Sequence, residues 1–162
     1  MGDAHGMGRK PLIGWSVVGV QFLLIAGAVV LSGPQVWNSP AWAPAAATAL
    51  AVAALVLAVV GVLGLGKAAT ATPVPREVGD LRTDGVYGLV RHPIYTGVLA
   101  AVGAWALASG AALRIVCWLL LVVLFVVKSR WEERMLVEKF PAYAAYCATT
   151  PPFIPRWRRS RP

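Results

Sequence analysis

The sequence predicts an all-α, polytopic integral membrane protein with about four transmembrane helices, a C-terminal helical hairpin and a cytoplasmic amphipathic segment. Three observations carry this reading. Apolar residues make up 58% of the chain and charged residues only 14%, whereas soluble domains carry about 25% charged residues. No Lys, Arg, Asp or Glu occurs between Pro11 and Gly66. Residues 93–127 contain a single charge, Arg114. A soluble protein of 162 residues has too little interior to hide so much apolar surface, and a bilayer removes the need to hide it.

The first charge-free stretch holds two spans of about 20 residues each, Leu12–Leu31 and Pro44–Leu65. Between them, GPQVWNSPAWAP supplies turn formers and interfacial tryptophans. The first span is preceded by Arg9 and Lys10, and Ala41-Trp42-Ala43 loosely resembles a cleavage site. Its apolar run of about 20 residues nevertheless exceeds the roughly 7–15 of a signal peptide, so it is read as a retained anchor. Neither span carries an ionisable side chain, which makes residues 1–66 a two-span scaffold. Small residues alternate through AAATALAVAALVLAVVGVLGLG, a pattern suited to close helix packing in lipid.

Residues 67–92 are polar, with Pro73 and Pro75 breaking any helix early on. A connection of this length is usually functional or disordered. The next apolar stretch divides at Ser109-Gly110 into a hairpin of 94–108 and 111–127, each arm short for a full span of about 30 Å. From Lys128 a helical pattern continues out of the membrane, with Glu132, Leu136, Phe140 and Tyr143 along one face. Pro141 predicts a break near Phe140. Residues 67–162 thus form the catalytic part (cytoplasmic loop, hairpin, C-terminal helix and basic tail) of one integrated domain.

A net charge of +8 would suggest nucleic acid in a soluble protein. Here the positive-inside rule explains it. Arg9 and Lys10 precede the first span; Lys67, Arg76, Arg82 and Arg91 follow the second; Arg156, Arg158, Arg159 and Arg161 fill the tail; residues 32–43 have no basic residue. Both termini and the central loop are therefore expected in the cytoplasm, with tail arginines touching anionic lipid and no nucleic-acid partner. High Ala, Val, Gly and Arg content points to a GC-rich bacterial source and hence to the bacterial inner membrane. Cys117 and Cys147 fit neither a disulfide nor a metal motif, so no metal is expected.

Polar residues beside the bilayer cluster at Arg82–Tyr95 and at Lys128–Glu138. Span parity places both on one side, at the two ends of one hairpin. In RHPIYTG, Pro93 suits a first helical turn, which puts His92 at the entrance, where backbone N–H groups and the dipole favour an anionic group. Arg91 adds charge and Tyr95 a ring and a hydroxyl. Equally, these are ordinary interfacial residues. Glu132 and Glu133 either neutralise neighbours, through the i,i+4 pairs Lys128–Glu132 and Arg134–Glu138, or capture a cationic or hydroxyl-bearing ligand. An amino acid-like ligand with both an ammonium and a carboxylate would satisfy both clusters.

The stretch GVYGLVRHPIYTG, followed by EERMLVEKFPAYAAYCATTPPFIP, resembles the isoprenylcysteine carboxyl methyltransferase family and the wider group of phospholipid methyltransferase-like proteins. The resemblance covers residues 81–155 and departs from the family at Val86 and Pro141. It implies S-adenosyl-L-methionine as cofactor, contacted by His92, Tyr95 and Tyr87, with Glu132 or Glu133 on its amino or ribose groups. It also implies that Gly97 allows close helix approach and that Tyr143 and Tyr146 pack against the cofactor or close the site. Lys128 falls where eukaryotic members carry an arginine thought to orient the substrate carboxylate, although a lysine supplies charge without a bidentate fork.

Methyl transfer from a sulfonium is an in-line displacement catalysed mainly by positioning. A carboxylate acceptor needs no base, and Lys128, Arg130 or Arg91 suffices to hold it. A phenol or amine needs one, making His92 or a glutamate the candidate. The acceptor is expected to be lipophilic and to arrive laterally. Two rivals remain: an NADPH-dependent sterol or enone reductase, whose relatives carry a similar RHPxY element, and a non-catalytic membrane adaptor of the same fold.

Overall fold

The computed structural model describes residues 9–66, 70 and 81–155, and among them the architecture is helical throughout. Six helices follow in order: α1 (Arg9–Val30), α2 (Ala43–Leu65), α3 (Val86–Leu89), α4 (Pro93–Ser109), α5 (Ala112–Lys139) and α6 (Tyr143–Thr149). Of these, α1, α2 and α5 are long and apolar enough to cross a membrane, with mean hydropathies of 2.1, 2.7 and 2.3 over their spans. Helix α4 is apolar but has 17 residues, about 25 Å at 1.5 Å per residue. The chain is an integral membrane protein. The charge balance read for Lys67 and Arg76 and for the tail from Arg156 falls outside the described residues.

Both spans lie where the charge-free stretches put them. The hairpin turns at Gly110, whose φ of +65° is a left-handed conformation that glycine adopts at little cost. Its second arm runs far beyond 127: Lys128–Lys139 holds neither Gly nor Pro, so α5 continues unbroken until Phe140-Pro141. There the chain breaks as expected and restarts as α6. Helix α3, inside the polar connection, was not foreseen.

The four long helices alternate in direction. Helix α2 packs most closely on α4, and α1 on α5. Glycines set the first contact. A methyl group on Gly97 would run into the Ala54 carbonyl and stand 2.9 Å from the Ala58 Cβ, so the two backbones meet with nothing between them, as small residues permit in lipid. Gly97→Ala is expected to cost about 1–3 kcal/mol through overpacking, read as a lower melting temperature in detergent. Between the helices lies a core of Ala28, Val102, Leu121 and Phe125, against which Tyr95 and Trp118 pack.

At the end of the bundle opposite Arg91, Glu132 and Glu133, the connection between α1 and α2 is tied to the hairpin turn. The Val36 N–H donates to Gly110 O at 2.8 Å and the Ala112 N–H to Pro34 O at 3.0 Å. The Trp37 indole donates to Leu107 O at 3.1 Å, and the Ser39 hydroxyl donates to Ala108 O. Arg114 donates to Leu31 O at 2.6 Å and lies 5.3 Å over the Trp105 ring. These bonds join α1–α2 to α4–α5 at one end. The start of α4 and the last turns of α5 therefore meet at the other.

Candidate functional site

Helix α4 begins as its residues dictate. Pro93 occupies the first turn, and His92 is the preceding cap residue without a side-chain bond to the helix. The imidazole is instead turned toward α5. Its Nε2 lies 2.9 Å from Glu133 Oε1, its Nδ1 3.9 Å from Glu132 Oε2, and the side chain is buried. Arg91 Nε donates to the same Glu133 oxygen at 2.8 Å. One turn into α4, the Tyr95 hydroxyl donates to Glu132 Oε2 at 2.8 Å. Two carboxylates on α5 are thus matched to three side chains at the entrance of α4.

Aromatic faces close around them. The His92 and Tyr95 rings are stacked, 5.3 Å apart and 3° from parallel. Phe153 lies 5.7 Å from His92, and Phe125 lies 4.7 Å from Tyr95. Lys128, 2% exposed, places its ammonium 5.1 Å over Tyr95 and 5.7 Å over Phe125, within cation–π range. It also donates to Gln21 Oε1 on α1 at 2.8 Å.

The segment after α6 crosses the entrance of α4. The Arg91 N–H donates to Pro151 O at 2.9 Å and the His92 N–H to Pro152 O at 3.0 Å. The Thr96 hydroxyl donates to Phe153 O at 3.0 Å. The Arg91 guanidinium donates to Cys147 O at 3.1 Å and also to Thr150 O. The backbone N–H groups of Arg91 and His92, just before the helix, are therefore bonded to the chain itself.

Burial opposes the charge on Arg91, but the hydrogen bond and attraction from Glu133 outweigh it and hold its pKa above the ordinary guanidinium value. Three tyrosines nearby stay protonated at neutral pH. Burial first, then the field of Glu132, pushes Tyr87 up; burial and then Glu133 push Tyr143 up. Tyr146 is pushed up to about 12 by burial, with Arg91 opposing. Two of them serve as donors: Tyr146 to Tyr87 O at 2.5 Å and Tyr87 to Gly61 O at 3.0 Å. The same burial raises the Cys147 thiol, against the pull of Arg91.

Of the residues the sequence singled out, the structure brings Arg91, His92, Tyr95, Glu132 and Glu133 into one network, with Lys128 against Tyr95. Tyr87 and Tyr143 are buried beside it, Tyr143 in edge contact with Tyr146. Gly97 is buried on the side of α4 that faces α2, away from the carboxylates. Arg130 is exposed and takes no part. Being two residues from both Lys128 and Glu132, it points to another side of the helix. Gln21, Thr96 and the carbonyls of Cys147 and Thr150–Phe153 were not foreseen. Gln21 had a signal, as the one amide in an otherwise apolar span.

The chain matches the phospholipid methyltransferase family over residues 42–143, from just before α2 to the first residue of α6, which is more than half its length. It belongs to that family. Members of that family are, in general terms, membrane methyltransferases, and such enzymes generally use S-adenosylmethionine. Among its relatives, the cobalt-zinc-cadmium resistance protein CzcN of Cupriavidus metallidurans is 35% identical over 82 residues, covering 50% of this chain and 38% of the relative. The nickel-cobalt-cadmium resistance protein NccN of Alcaligenes xylosoxydans xylosoxydans is 29% identical over 143 residues, 88% of this chain and 63% of the relative. The family member described here thus spans less than two thirds of either relative's length.

Proposed function

We propose that this chain binds S-adenosylmethionine where α4 meets α5 and transfers its methyl group to a lipophilic acceptor at the cytoplasmic face. The observation that carries the reading is the convergence of Glu132 and Glu133 with Arg91, His92 and Tyr95. The donor set fits an amino acid-like sulfonium. Carboxylates of Glu132 and Glu133 suit an ammonium or ribose hydroxyls, Arg91 and His92 suit a carboxylate, and the stacked rings suit a cation. When bound, the cofactor supplies an electrophilic methyl group on a positively charged sulfur.

The residues of the chain position and select. Glu132, held by Tyr95, presents its carboxylate beside aromatic faces. Tyr87 and Tyr143 pack around the network, while Gly97 acts through packing, keeping the entrance of α4 close to α2. Lys128 and Arg91 are the cations available to an acidic acceptor, which then needs no base. For an amine or phenol, His92 is placed to accept the proton. Arg130, exposed outside this network, stays at most a surface cation for an acceptor's head. Residues 1–66 act as scaffold to the catalytic part within one integrated domain, and the excess of basic residues in the sequence on the site side supports a cytoplasmic site in what we take to be a bacterial inner membrane.

Equilibrium titration of the purified protein in lipid nanodiscs with S-adenosylmethionine and with NADPH tests this reading. Saturable binding of the first alone is the expected result. Tight NADPH binding without S-adenosylmethionine binding would replace it with a reductase, and binding of neither would leave a non-catalytic adaptor. Labelled methyl groups followed into lipid extracts then identify the acceptor.

A further inference from the structure

An ammonium inside a helix bundle needs acceptors, because an uncompensated charge away from water is costly. Lys128 is 2% exposed, and one of its protons goes to Gln21 Oε1 at 2.8 Å. On α5, Glu132 stands four residues further on, one turn away and on the same face. The lysine stem is flexible and its head a compact point charge, so the Glu132 carboxylate, which attracts the same ammonium, competes for it with Gln21. Gln21 belongs to α1, which lies outside the family-matched residues 42–143. No chemistry within α1 calls for an amide among Val, Leu and Ile, but the contact with Lys128 does.

We infer that Gln21 is a positioning residue: it holds the Lys128 ammonium over the Tyr95 ring and so keeps the Glu132 carboxylate available to a cationic ligand group. Helix α1 thereby supplies a member of the site and is more than scaffold. The inference rests on the cofactor reading above.

The test is a double-mutant comparison on the full chain in nanodiscs, with S-adenosylmethionine as probe and equilibrium affinity as readout. Q21L is expected to weaken binding about tenfold when Lys128 is present and less than about twofold in a K128M background, because its effect passes through the ammonium. Gln21→Glu, which accepts the same proton, is expected to stay within about threefold of the parent. An equal loss from Q21L in both backgrounds, or a Q21E loss as large as that of Q21L, overturns the role of Gln21 and leaves the cofactor reading intact. A parent chain that binds no S-adenosylmethionine overturns both.

Discussion

Glu132→Ala and His92→Ala are each expected to weaken S-adenosylmethionine binding by at least about tenfold, since a hydrogen bond to a charged group contributes about 1.5–3 kcal/mol. The two act differently. Glu132 receives the Tyr95 hydroxyl, so its loss removes a carboxylate and leaves a buried phenol without its acceptor. His92 spans both carboxylates and stacks on Tyr95, so its loss removes the wall against which Tyr95 is set. Glu132→Gln, which still accepts from Tyr95 but carries no charge, is expected to fall between the parent and Glu132→Ala. Equilibrium titration in nanodiscs reads the affinity, and a thermal melt confirms that each variant is folded. Unchanged affinity in both alanine variants would remove the site assignment.

Arg91→Ala is expected to cost about 3 kcal/mol of stability, toward the lower end of what breaking a buried ion pair costs. The Arg91 side chain is 10% exposed and that of Glu133 20%, so solvent screens the pair little. The substitution also frees the carbonyls of Cys147 and Thr150, loosening the segment that crosses the start of α4. Arg91→Lys keeps the charge but lacks the fork that serves a carboxylate and two carbonyls together, so it recovers only part of the loss. The checks are the melting temperature and the rate at which protease cuts residues 150–155. An unchanged melt with an unchanged cutting rate would show that Arg91 does not fasten this segment.

Much of the fold was legible because lipid imposes simple rules. Absence of charge marked α1 and α2, Pro93 marked the start of α4, and Pro141 the end of α5. Parity alone brought residues 91–95 to the same end as Glu132 and Glu133. Pairwise contacts were less accessible. Nothing in a run of prolines says that the carbonyls of Pro151 and Pro152 will take the N–H groups of Arg91 and His92, since a carbonyl is present at every residue. The meeting of Gln21 and Lys128 depends on how α1 is rotated against α5, which a nearly uniform apolar helix leaves unmarked. Arg130 shares with Lys128 and Arg91 the charge that could hold a carboxylate, but its spacing of two residues from Lys128 turns it to another face of the helix, which charge alone does not reveal.

The bonds that tie residues 34–39 to the hairpin turn give the bundle unequal ends. One end is stitched across both helix pairs by backbone and indole hydrogen bonds; the other is joined by side chains and by a short C-terminal strap. The end at Gly110 thus keeps its closure whatever happens to the carboxylates, whereas the end at His92 and Glu133 depends for its closure on the charges and hydroxyls that meet there.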